Sequence, residues 1–417
     1  MGPPAPDSRP AGGDAADAAD TLRVGRYHRA VPTTSKAGGR LGPFATTIFA
    51  EMTALAVATG SVNLGQGFPD TDGPQEIADA AVAAIRAGAN QYPPGPGIPA
   101  LRQAIADHQR DRYGLVVDPD DGVLVTTGAT EAIAASLIGL CEPGDEVVMF
   151  EPFYDSYAAS AAMAGVTARM VRLHAPDWHW DPADLEAAIS ARTRLVLVNT
   201  PHNPTGKVFS TGELAAVARA CVEHDLLCVT DEVYEHLVFD GVHVPIATLE
   251  DMGERTVSIS SAGKTFSFTG WKIGWATGPA ELVARVRAAK QFLTFATGTP
   301  FQHAVAAGLA AGDRLVAPLR ESLRDRRDLL CDGLGALGLT VFRPAATYFA
   351  TTDVASIGEE DAYAFCRQLP GRCGVVAVPS SVFYRDPGPA RTLVRWAFCK
   401  QPAVLREALD RLGKLAA

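Results

Sequence analysis

Lysine is scarce in this chain, with seven in 417 residues, at positions 36, 207, 264, 272, 290, 400 and 414. Cysteine occurs seven times but never as a Cys-x-x-Cys pair, which argues against both a zinc module and a disulfide framework. Runs such as Leu226-Leu227-Cys228-Val229 mark the thiols as small core hydrophobes in a reducing compartment. No stretch approaches the roughly 20 apolar residues of a membrane-spanning helix. Positive charge is also short, with 37 Lys and Arg against 47 Asp and Glu and a net charge of -10. That balance argues against a nucleic-acid-binding role. The first forty residues lack both an apolar period and the apolar segment of a secretory signal. They are expected to form a disordered tail, residues 1–40, on a cytoplasmic protein.

What is present is an alternation. Short β-branched runs are expected as strands over 122–126, 146–150, 167–172, 193–199, 226–230 and 256–260. Between them lie helical patterns over 99–111, 130–140, 154–164, 182–187, 211–224 and 279–291. This spacing predicts an α/β fold, a mostly parallel sheet sandwiched by helices. Beyond about residue 310 the pattern changes to a long Arg-rich helix (320–334), strands over 339–342, 348–352, 374–377 and 392–398, and a last helix from Pro402. The organisation expected is an N-terminal arm over 41–70, a large domain over 71–310 and a smaller C-terminal α+β domain over 311–417.

Ligands of open α/β sheets collect at the carboxyl ends of strands, and the chemistry-bearing residues follow the expected strands. Lys264 stands in Ser261-Ala262-Gly263-Lys264-Thr265, where small and hydroxyl neighbours leave room for a group on the amine. Desolvation there would lower its pKa and favour an imine near neutral pH. Taken alone, Lys264 reads as a loop lysine, and its neighbours in the fold decide the matter. Asp231, in Thr230-Asp231-Glu232-Val233-Tyr234, ends an apolar run. A buried carboxylate there needs a cation, for which a protonated pyridine nitrogen qualifies, although a helix N-cap is an equal reading of Asp231 alone. Tyr234, and Asn203 in an Asn-Pro-Thr-Gly turn, would reach a phenolic oxygen on the same ring. Val125-Thr126-Thr127-Gly128-Ala129-Thr130 supplies strand, turn and helix start, a phosphate cradle that is neither a Walker A nor a G-x-G-x-x-G fingerprint. Ala129 and Thr130 would sit in that cradle, and Ser261 and Lys272 would add a hydroxyl and a charge. Tyr154 would stack on the ring, with ordinary helix packing as its alternative. Arg395, in the apolar run Val394-Arg395-Trp396, would grip a planar anion such as an α-carboxylate.

Together, Asn-Pro-Thr-Gly, Asp-x-x-Tyr, Ser-x-x-Lys and the late arginine resemble the fold-type I, class-I aminotransferases, which depend on pyridoxal 5′-phosphate. Residues 63–70 and 90–92 look like the kynurenine aminotransferase/glutamine transaminase K branch. Residues 45–52 are similar to actinobacterial proteins described as N-succinyldiaminopimelate aminotransferases. The resemblance implies Lys264 as cofactor anchor and proton shuttle, with Asp231, Tyr234, Asn203, Tyr154, Ala129, Thr130, Ser261 and Lys272 around the cofactor. It implies that Gly67, Asn203 and Arg395 hold the substrate carboxylate, that Phe49 lines the side-chain pocket, and that Tyr92 crosses to the partner's site in a homodimer. Lys272 replaces the arginine of many relatives, and Thr130 an aromatic residue of the kynurenine branch.

The reaction implied is ping-pong transfer of an amino group between an L-amino acid and a 2-oxo acid, with no metal. Phe49, Tyr154 and Phe268 suggest a neutral or aromatic amino acid, and the actinobacterial resemblance suggests N-succinyldiaminopimelate. A cysteine-conjugate β-lyase is the near rival. A cofactor-binding regulator is the remote one, because the tail is too poor in Lys, Arg and apolar period for a DNA-binding domain.

Overall fold

The computed structural model describes residues 39–44 and 47–415; all but the last two residues of the tail expected over 1–40 lie outside them. Seven strands form one sheet in the order Val123–Thr126, Gly274–Thr277, Thr256–Ser261, Leu227–Asp231, Thr193–Asn199, Glu146–Glu151, Thr167–Arg172. Gly274–Thr277 runs antiparallel to both its neighbours, and every other pair is parallel. The strands Glu146–Glu151 and Thr193–Asn199 carry apolar residues on both faces because both faces are covered. Val147, Met149, Leu195 and Leu197 face the helices Ala129–Leu140, Asp155–Ala164 and Ala280–Leu293. The alternate residues Val148, Val196 and Val198 face Leu214 and Val217 of the helix Thr211–Glu223. Each such side chain contributes about 1.5–3 kcal/mol by leaving water.

Past residue 312 comes the long helix Asp313–Ala336. An antiparallel sheet follows, in the order Val378–Pro379, Leu393–Ala397, Phe349–Asp353, Thr340–Phe342. The strand expected over 374–377 is divided. Val375–Val376 pairs in parallel with Val62–Asn63, and the chain then crosses to pair Val378–Pro379 with the strand of Arg395. The apolar segments thus tie the arm after Thr47 to the C-terminal elements through Met52, Leu64, Val376 and Leu405.

The elements not expected from sequence include these three. The strand Gly274–Thr277 consists of Gly-Trp-Ala-Thr, in which Trp and Thr favour a strand but Gly and Ala do not, and it is held by its two neighbours. The helix Thr299–Ala311 is apolar almost all round, and Ala362–Cys373 carries Pro370 inside it. All seven cysteines are buried and unpaired. Among the described residues, no helix is long and apolar enough to cross a membrane.

Candidate active site

Thr126, Glu151, Asn199, Asp231 and Ser261 end their strands on one edge of the sheet. That edge, closed over by Phe49, Gly67, Phe349 and Arg395, bounds a cavity of about 200 Å³. Every site residue singled out from sequence lines it except Tyr92 and Phe268. Phe268, expected to contribute to an aromatic pocket, does not line it. The short helical turn Thr269–Trp271 brings the Phe268 ring onto Trp271, stacked at 4.0 Å. Phe68 and Phe349 supply apolar wall instead.

Lys264 is in the four-residue helix Ala262–Thr265 that follows the strand Thr256–Ser261. Burial pushes its amine down to about 8, with the Lys272 charge acting in the same direction. The Nζ atom donates to the Tyr348 hydroxyl at 2.8 Å, and that hydroxyl in turn donates to the Gly67 carbonyl at 2.6 Å. Tyr348 was missed in the sequence because its partner lies 84 residues away.

Asp231 is buried, and burial pushes its carboxyl up to about 6 against the pull of its hydrogen bonds. It accepts from the Tyr157 hydroxyl at 2.7 Å and from the Val233 amide at 3.3 Å, and among the described residues no Lys or Arg pairs with it. Tyr157 was also overlooked, although it lies one helical turn beyond Tyr154. Asn199 joins two predicted residues, for its amide donates to the Asp231 carbonyl at 2.8 Å and its Oδ1 accepts from the Asn203 amide at 2.7 Å. A polar residue closing the apolar run Leu195–Val198 was the available signal.

The helix Ala129–Leu140 begins at Gly128, φ 77°, with no side-chain cap. The first amides of a helix have no partner within it, so this end offers N–H groups and a positive dipole to an anion. The Lys272 amine overhangs the turn, 3.1 Å from where a Cβ on Gly128 would stand. Tyr154 is hydrogen-bonded to Thr130, and burial raises its phenol to about 12.

Arg395 is 1% exposed. Its guanidinium donates to the Gly65 carbonyl at 3.1 Å and to Asn203 Oδ1 at 3.3 Å, while Nε has no partner. Phe349, Phe383 and Phe49 enclose it at 4.0, 4.7 and 5.1 Å. Burial lowers its pKa to about 10. No carboxylate among the described residues forms an ion pair with it. A buried unpaired guanidinium is costly, and an entering carboxylate would remove that cost.

The cavity therefore offers a nucleophilic amine, a buried carboxylate without a cation, an anion cradle and a separate carboxylate-binding arginine. This set complements a flat ring with a protonated nitrogen at one end and a phosphate at the other, together with an acid substrate. Tyr92 stands apart. It is 85% exposed and packs edge-on against Phe295 at 5.6 Å.

Residues 59–412 match the family model for aminotransferase class I and II. The solved structure of N-succinyldiaminopimelate aminotransferase from Mycobacterium tuberculosis superposes with a TM-score of 0.88 at 53% identity, over 91% of this chain and 99% of that one. A methionine aminotransferase of Escherichia coli is 40% identical over 90% of this chain and 97% of its own. Kynurenine–oxoglutarate transaminase 3 of Mus musculus is 37% identical over 87% of this chain and 86% of its own.

Proposed function

The chain belongs to the class I and II aminotransferases, enzymes of amino-group transfer, and on that footing we propose that it works with pyridoxal 5′-phosphate linked to Lys264. The observation carrying this reading is the buried Lys264 amine in one cavity with the cation-less carboxylate of Asp231 and the unpaired guanidinium of Arg395. When bound, that cofactor would serve as an electron sink for the substrate's Cα.

The chain's own residues do the rest. Asp231, steadied by Tyr157 and Asn199, keeps a proton on the ring nitrogen. Tyr234 and Asn203 bind the phenolic oxygen, and Tyr154 covers the ring face. The Ala129 and Thr130 amides, with Ser261 and Lys272, hold the phosphate. Arg395, Asn203 and the Gly67 backbone orient the substrate carboxylate, which sets Cα beside Lys264. The Lys264 amine would act as the base that takes the substrate's Cα proton, the step that the bound cofactor would make possible. Its lowered pKa suits that task, because an amine held as a cation accepts no proton. Tyr348 holds the released amine on the cavity side.

The same reading makes the enzyme a homodimer in which Tyr92 reaches the partner's phosphate. Tyr92 and Phe295, in edge-on contact at 5.6 Å, are both exposed, as is Phe292, and exposed apolar rings in contact are a common mark of an interface. It also takes 71–310 as the large domain, with 41–70 joined to the smaller 311–417, in a cytoplasmic protein. The walls formed by Phe49, Phe68 and Phe349 favour a neutral or aromatic amino donor, since Lys264, Lys272 and Arg395 are the lining cations and each already has a role. The second substrate reading, N-succinyldiaminopimelate, rests on the 53% identity to the Mycobacterium tuberculosis enzyme.

The test screens aromatic, aliphatic and succinylated donors against 2-oxoglutarate and pyruvate, with wild type and Lys264→Ala in parallel. Lys264→Ala is expected to lose both turnover and the visible absorbance of the lysine-linked cofactor. Retention of both would overturn the reading.

A further inference from the structure

A second group of chemistry-bearing side chains lies outside the cavity just described. His108 on the helix Pro99–Tyr113 and Glu235 and His236, directly after Tyr234, line a separate groove. Their ligand atoms all lie within 4.8 Å of one another. The two imidazole Nε2 atoms face each other at 3.1 Å, and Glu235 Oε1 is 3.9 Å from His236 Nε2. Tetrahedral zinc with bonds of ~2.0–2.1 Å needs ligand atoms roughly 3.3 Å apart, so the two nitrogens already stand near that spacing.

The charge balance points the same way. Glu232 and Glu235 are both buried, at 1% and 2% exposure. Among the described residues neither has a Lys or Arg within ion-pair distance, and the only basic groups that close are His243 at 3.3 Å and His236 at 3.9 Å. The nearby Arg112 is committed to Asp313 at 2.9 Å. Two buried carboxylates whose nearest basic groups are imidazoles, with hydroxyls as their other partners, leave negative charge uncompensated. Tyr113 and Ser260 donate to Glu235 and fix its carboxylate, the kind of outer support that metal ligands require. All three side chains line the groove, which joins the cluster to the surface side of the helix Pro99–Tyr113.

We propose that His108, Glu235 and His236 form a Zn²⁺-binding site that clamps the Pro99–Tyr113 helix to the segment carrying Asp231 and Tyr234. Two imidazoles and one carboxylate select a borderline transition ion over Mg²⁺ or Ca²⁺, which take mainly oxygen ligands. The site is independent of the amino-transfer chemistry, since none of its three ligands lines the Lys264 cavity.

The experiment titrates tag-free, full-length, cofactor-loaded protein with Co²⁺, following d–d absorbance beyond the cofactor's own bands, and then displaces the ion with Zn²⁺. One equivalent should bind, and the same amount of zinc should be found by elemental analysis. His108→Ala is expected to weaken binding at least ~100-fold, as loss of a direct ligand should exceed the 10–100-fold typical of outer-shell changes. His108 is only half-buried, and the unchanged visible spectrum of the cofactor reports an intact fold. Glu235→Gln is a second variant that keeps the side chain's shape while removing its charge, and it should weaken binding likewise. His179→Ala, which removes an exposed histidine stacked on His174, should leave binding unchanged. Absence of a one-equivalent Co²⁺ signal would overturn the proposal. So would binding insensitive to both His108→Ala and Glu235→Gln, loss of binding in His179→Ala, or equal displacement by Mg²⁺.

Discussion

Lys264 owes its reactivity to where the fold places it. An ordinary lysine, with a pKa near 10.4, is only about 0.04% neutral at pH 7. With burial lowering the pKa to about 8, roughly a tenth of the amine is neutral at pH 7 and half at pH 8. The sign follows from desolvation, which penalises the ammonium and spares the free amine. Linkage of pyridoxal phosphate to the cofactor-free protein requires the neutral amine. Its rate should therefore rise about fivefold between pH 7 and 8 and level off near pH 9. Stopped-flow absorbance across pH 6.5–10.5 checks this, and a tenfold rise per unit continuing to pH 10 would mean an ordinary lysine. Arg395 shows the same logic with the opposite demand, because its charge is kept although burial opposes it, and the partner it lacks is one a substrate would bring.

Between elements, one tight junction is where the strand Gly274–Thr277 passes the phosphate turn. A Cβ on Gly274 would lie 2.6 Å from the Gly128 carbonyl carbon and 2.7 Å from the Ala129 nitrogen. Both are backbone atoms that cannot swing aside. Gly274→Ala is expected to cost about 1–3 kcal/mol through overpacking and to displace the amides that hold the phosphate. Thermal melting should show the loss of stability, and a cofactor titration should show at least about tenfold weaker binding. Gly270→Ala, whose Cβ would meet nothing within 4 Å, serves as the control that should change neither. This junction also marks the limit of what the sequence made legible. Parallel strands announce themselves as apolar runs, and polar residues at their ends named Asp231, Asn203 and Lys264 without coordinates. Gly274-Trp275-Ala276-Thr277 has no such signature, since its strand state comes from pairing on both sides. Tyr348, Tyr157 and Asn199 were hidden for a related reason, because their roles are hydrogen bonds to groups distant in sequence. Phe268 was misassigned because a three-residue helical turn decides which way its ring faces.

For the whole molecule, the question is whether one chain contains a complete site. In the chain by itself, Tyr92 is 85% exposed and Phe292 86% exposed, and Tyr92 does not line the Lys264 cavity. If Tyr92 serves the partner's phosphate, the two defects Lys264→Ala and Tyr92→Ala fall in the same site when they are carried on different chains. In a hybrid dimer, the subunit keeping Lys264 then receives an intact Tyr92 from its partner, while the other site carries both defects. Random pairing of equal amounts makes half the dimers hybrids, each with one working site, so activity should recover to about a quarter of the wild-type level under two-fold symmetry. Each variant is nearly inactive alone at limiting cofactor, so the recovery is measured against a low background after unfolding and refolding the mixture together. Refolding the two separately and then mixing them gives the baseline. If Tyr92 acted within its own chain, the hybrid would hold one site lacking Lys264 and one lacking Tyr92, and co-refolding would restore nothing.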